Sequence, residues 1–167
     1  IMRGIFDTAE SYLIKAVEKN PDDLQARNLL CTIYATRSLD DLYKRRYEDV
    51  INDSKKAESY FQYQSIAESL IIMGYVYKNM YIASREREYL DKAKEKFEIA
   101  LALDRNDVRN IASALNGLGN YYSYTGNHDM AMNKHLEAIK ILPKYASAHH
   151  DLAIVYEAKM GESGSDI

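Results

Sequence analysis

Leu118-Gly119-Asn120-Tyr121-Tyr122, followed by Gly126, Ala131, Ala138 and Pro143, decides the architecture, because its parts return along the chain. Leu30-Cys31-x-x-Tyr34, Met73-Gly74-x-x-Tyr77 and Leu152-Ala153-x-x-Tyr156 repeat the order of a large apolar residue, a small residue and a tyrosine. On a helix the apolar residue and the tyrosine share one stripe, and the small residue beside them lets a neighbouring helix come close. A second signature alternates with the first: Ala9, Leu13 and Ala16, then Ala93, Phe97 and Ala100, then Ala131, His135 and Ala138. Spacings of four and three mark the inner face of a second helix. A helical pattern that recurs in this way describes stacked helix pairs, each unable to bury its apolar face alone.

On these residues the chain resembles the tetratricopeptide repeat (TPR) family, whose pattern is Leu-Gly, Tyr, Ala-x3-Phe and a closing Pro over 34 residues. The match is fullest from Ala112 to Tyr145, with Leu115 where tryptophan is usual and His135 where the aromatic is usual. Tyr156 follows Tyr122 by 34 residues, one family period. The middle departs from that period: Tyr34 to Tyr77 is 43 residues and Tyr77 to Tyr122 is 45. Extended helices or structured elbows are expected around Arg37–Tyr47 and Ile82–Leu90, since an insertion near two helical turns barely rotates the apolar stripe. The pair containing Val50, Ser54 and Ala57 carries the weakest second-helix signature.

The resemblance implies an all-α fold, an α-solenoid of antiparallel helix pairs wound into a right-handed superhelix, with two lengthened repeats. It divides residues 1–160 of a single domain into a partial repeat (1–23), repeats at 24–64, 67–107 and 112–145, and a terminal helix (146–160), before a flexible tail (161–167). Half-repeats at both ends suggest a piece of a longer protein.

Composition agrees. Apolar residues make up 47% of the 167, enough for a core, and two prolines and seven glycines leave long helices uninterrupted. Fifteen tyrosines against three phenylalanines and no tryptophan suit half-buried positions, where an apolar ring needs a wet tip. Tyr34, Tyr77, Tyr122 and Tyr156 are expected to pack. Net charge is −3, from 22 basic and 25 acidic residues mixed along the chain, so there is no electrostatic footprint for nucleic acid. Lys44-Arg45-Arg46, flanked by Asp40, Asp41, Glu48 and Asp49, is expected on a solvated helix face. No apolar segment approaches the roughly 18 residues of a membrane span, so this segment inserts in no bilayer. The lone Cys31 forms no internal disulfide, fits a small-residue packing position, and leans toward a cytoplasmic setting. A domain of an exported or membrane-anchored protein is the alternative.

Signals for chemistry fail one by one. Gly117-x-Gly119 has a tyrosine at the third glycine position and no preceding strand, so it is no dinucleotide fingerprint. His149 and His150 diverge by about 100° on a helix, and His128 and His135 have no carboxylate or cysteine at ligand spacing. Neither enzyme activity, metal nor cofactor is expected.

The family's first helices line a concave groove. Carried onto this chain, that groove is Asn28, Thr32 and Thr36, then Ile71, Tyr75, Lys78 and Asn79, then Asn116, Asn120 and Tyr124, then His150 and Ile154. Asn116 stands where the carboxylate-clamping subset of the family has lysine, so no clamp for a terminal carboxylate is expected. The implied function is a scaffold for protein–protein interaction, holding a peptide or helix of a partner protein. The alternative is a structural module that self-associates into a homo-oligomer through its exposed terminal helices.

Overall fold

Eight α-helices occupy the residues that the computed structural model describes, 2–61, 67–103 and 106–163: α1 (Met2–Lys19), α2 (Leu24–Tyr43), α3 (Tyr47–Tyr60), α4 (Ala67–Ser84), α5 (Arg87–Leu103), α6 (Val108–Tyr124), α7 (His128–Ile141) and α8 (Ala146–Ser163). Polar side chains set several starts. Asp23, Asp107 and Asn127 accept the otherwise free first-turn N–H groups of Ala26 at 2.9 Å, Arg109 at 2.8 Å and Met130 at 3.1 Å. The Asp107 cap starts α6 at Val108, ahead of the expected Ala112. α8 continues through Gly161 to Ser163, into the stretch expected as tail, and residues 164–167 lie outside the described residues.

The turn inside each pair uses one left-handed residue: Arg45 (φ 56°), Arg85 (φ 63°) and Gly126 (φ 76°). Gly126 adopts that conformation without a Cβ clash, whereas each arginine carries a strain of about 1 kcal/mol. Lys44 to Arg46 is therefore the elbow between α2 and α3 and not a helix face, since the positive φ at Arg45 ends the helix. Its charges are met locally: Lys44 Nζ pairs with Asp40 at 2.5 Å, and Arg46 with Asp41 and, at 3.3 Å, with Asp49. The added residues lengthen the hairpins as expected around 37–47 and 82–90. α2 runs on past Tyr34 to Tyr43 and α4 past Tyr77 to Ser84, while α6 stops at Tyr124, just beyond Tyr122.

Successive helices pack in order, and the first helices α2, α4, α6 and α8 also touch one another in series. Among the described residues the second helices α3, α5 and α7 make no such contacts with each other. A layer packed tightly on one side and splayed on the other must curve, with the first helices on the concave face. The small residues of the repeat serve this packing by admitting a ring. Phe97 on α5, 1% exposed, lies flat between Gly74 of α4 and Gly117 of α6. His135 on α7 uses Gly119 in the same way.

Val50, Ser54 and Ala57 are fully buried on α3 in spite of their weak signature, and the Ser54 hydroxyl hydrogen-bonds that of Ser38 at 2.8 Å. Tyr34 and Tyr77 are buried rings whose hydroxyls donate to Glu10 at 2.5 Å and Glu58 at 2.7 Å. Tyr122 is half-buried, but Tyr156 does not pack as expected: it is 43% exposed, because no further helix covers that side of α8 among the described residues. α1 has no fully buried side chain among those described, and Arg37 helps to hold it. The Arg37 guanidinium pairs with Glu10 of α1 and, at 3.1 Å, with Asp53 of α3.

Candidate functional site

The concave face holds a cleft of about 450 Å³ that crosses all four first helices. α2 contributes Thr32, Ala35, Thr36, Leu39 and Tyr43; α4 contributes Ile72, Tyr75, Val76, Lys78 and Asn79. Asn116 and Asn120 come from α6, Tyr145 from the turn before α8, and Ser147, His150 and Asp151 from α8. The lining along α2 and α4 is apolar at Ala35, Leu39, Tyr43, Ile72, Tyr75 and Val76 and polar at Thr32, Thr36, Lys78 and Asn79. The lining along α6 and α8 is polar, with the amides of Asn116 and Asn120, Ser147, His150 and the Asp151 carboxylate.

A buried polar chain fixes the amide side. Asn116, 1% exposed, donates through Nδ2 to Asp151 Oδ2 at 2.8 Å, which leaves Oδ1 to accept from His135 Nδ1 at 2.8 Å. His135 therefore carries its proton on Nδ1, an assignment made from the network. Burial holds its pKa below the ordinary 6.5, against the opposing pull of Asp151, so the ring is neutral. Asn116 is consequently the floor of the cleft and a strut between α6, α7 and α8, a role that its exposed-groove assignment did not anticipate.

Tyr75 completes the floor by donating its hydroxyl to the Ser113 carbonyl at 3.0 Å, and its ring meets Phe97 edge-on with centroids 5.1 Å apart. The Lys78 ammonium lies over the face of Tyr75, 5.0 Å from the centroid. Burial lowers the Lys78 pKa, and Asp151 partly offsets this. Asn79 is 3% exposed, and its Oδ1 has no hydrogen-bond partner.

Of the residues expected in the groove, Thr32, Thr36, Tyr75, Lys78, Asn79, Asn116, Asn120 and His150 line this one cleft. Four do not. Ile71 is 6% exposed and belongs to the hydrophobic core, since the position that faces the groove in α6 turns inward in α4. Asn28 lies a turn before the cleft on α2, and Tyr124 packs edge-on against Tyr81 with centroids 5.4 Å apart. Ile154 is exposed beyond the end of the cleft on α8.

The expectation had no place for Leu39 and Tyr43, which the lengthened α2 adds as an apolar wall; Tyr43 is 80% exposed. Their signal was present: Thr32, Thr36, Leu39 and Tyr43 follow one another at helical spacings of four, three and four. Asp151 left no such signal, because only the fold turns it toward Asn116.

Elsewhere the chemistry is quiet. Cys31 is buried against Met73, Sγ to Sδ 3.6 Å, and burial pushes its thiol up to about 12, far from a reactive thiolate. Among the described residues no three His, Cys, Asp or Glu side chains converge to hold a metal ion, and no helix is long and apolar enough to cross a membrane.

No family model matches the sequence, and no curated protein does. Among solved structures the chain is similar to MamA, with a TM-score of 0.65 and 25% identity over 95% of this chain and 81% of that one. The chain has a tetratricopeptide-like fold. It is also similar, at a TM-score of 0.32 and 18% identity over 89% of this chain and 84% of that one, to YrrB, described as a TPR protein with an unusual peptide-binding site.

Proposed function

We propose that this TPR-like solenoid is a non-catalytic protein-interaction scaffold whose concave cleft takes a peptide or helical segment of a partner protein, within a larger protein or assembly. The observation that carries this reading is the cleft itself. It joins an apolar patch of α2 and α4 to amides and other polar side chains able both to donate and to accept, the combination that fixes the orientation of a bound segment. Asn79 Oδ1, buried without a partner at the cleft wall, adds an acceptor that a bound chain would satisfy.

The test is selection of peptides from a randomised display library on the immobilised chain, repeated with Thr36→Trp, which fills the cleft from an exposed position of α2. Peptides that bind the native chain and lose at least about tenfold in affinity on Thr36→Trp, with helicity unchanged, support the reading. Peptides indifferent to Thr36→Trp, or none at all, overturn it.

A second reading, self-association through the terminal helices, is favoured by Tyr156 and Met160, both exposed on α8. It requires oligomers that grow with concentration in sedimentation, and a strict monomer across the micromolar range removes it.

A further inference from the structure

Lys78 and Asn79 stand side by side on α4 at the cleft with polar capacity that the chain does not use. Many charged side chains elsewhere pair with a neighbour, as Arg87 does with Asp91, Lys134 with Glu137, and Arg37 with Glu10 and Asp53. Lys78 is the only lysine or arginine lining the cleft among the described residues, and it makes no hydrogen bond or ion pair, resting only against the Tyr75 ring. Asp151, whose charge acts on Lys78, is held by the Asn116 amide. Beside it, the Asn79 carbonyl oxygen is buried and unpartnered. A half-buried ammonium without a counter-ion and a buried acceptor without a donor are both unfavourable, and each is relieved by one kind of group.

We propose that the occupant of the cleft, taken as the peptide site argued above, is an extended segment of a partner protein that bears an Asp or Glu side chain flanked by apolar residues. The carboxylate meets the Lys78 ammonium, a backbone N–H of the segment donates to Asn79 Oδ1, and the apolar neighbours lie toward Leu39 and Ile72. An extended segment fits better than a helix because the backbone N–H groups of a helix interior are already spent on its own carbonyls. A carboxylate fits better than a phosphoryl group because a lone ammonium, with Asp151 nearby, does not balance a charge near two. A side-chain carboxylate fits better than a chain terminus because, among the described residues, no second lysine or arginine lines the cleft to grip one.

The experiment sequences the peptides selected above from the randomised library on native chain, on Lys78→Arg and on Lys78→Met. Enrichment of Asp or Glu at one register is expected with the native chain and Lys78→Arg, and its loss with Lys78→Met, while the apolar preference persists. For one selected peptide, made with its acid and with the matching amide, fluorescence polarisation is expected to show about tenfold weaker binding for Lys78→Met or for the amide, and no further loss when the two changes are combined. Selected peptides that depend on the cleft but show no acidic preference, or a basic one, overturn this inference and leave the peptide site standing. Absence of any cleft-dependent peptide overturns both.

Discussion

Gly117→Ala is expected to destabilise the protein by about 2 kcal/mol, although alanine is the better helix former. A Cβ at position 117 would lie 2.5 Å from both Cε1 and Cε2 of Phe97. Carbon atoms rest at about 3.5–4.0 Å, so either the ring or a helix must give way by about 1 Å. The ring has nowhere to go, because on its other face a Cβ at Gly74 would also stand 2.5 Å from Cε1, and the ring of Tyr75 closes a third side. Overpacking a filled core costs about 1–3 kcal/mol, and confinement from two sides puts this case at the upper end. Alanine returns about 1 kcal/mol of helix propensity, which leaves the stated difference. In a chain of this length that corresponds to a fall in Tm of about 4–8 °C, read by circular dichroism. The penalty should shrink when Phe97→Leu is already present, since the smaller side chain vacates the contact. A Gly117→Ala variant that melts at or above the parent temperature, or a penalty unchanged in the Phe97→Leu background, refutes the account of ring-on-glycine packing.

Stability should fall as pH drops from about 7 to 5, because unfolded chains protonate His135 near its ordinary pKa while the buried native ring stays neutral, so the unfolded state binds more protons. His135→Phe should flatten that part of the profile in urea titrations; an unchanged slope contradicts the neutral, buried assignment. Arg37→Met should release α1 first, raising its amide hydrogen exchange by about tenfold with α5 to α8 unaffected, because the Arg37 pairs to Glu10 and Asp53 join α1 to α2 and α3. Equal protection in α1 would mean that Leu13, Ile14 and Val17 suffice to hold it. The Thr36→Trp and Lys78 substitutions described above test the cleft and its charge preference in turn.

Much of the fold was legible in local pattern. The recurring Leu-Gly-x-x-Tyr and Ala-x3-Phe spacings specify which faces of which helices are buried, and that requires only the 3.6-residue period and the size of the side chains. The pairing order, the curved stack and half of the cleft residues follow, because first helices repeat the same outward positions. Three features lay beyond any local pattern. Ile71 and Asn116 occupy equivalent repeat positions, yet one enters the core and the other holds a carboxylate and an imidazole, since each meets a different neighbour. Lys44 to Arg46 became an elbow because a backbone turn at Arg45 had to fall somewhere in the lengthened hairpin. The solitary ammonium of Lys78 and the unpartnered oxygen of Asn79 arise from what lies across the cleft on α6 and α8, far away in sequence. Periodicity by itself determined the helices and their buried stripes; only tertiary packing decided which polar groups on the inner face are spent and which remain free, because a partner's distance is set by the stack and not by the chain.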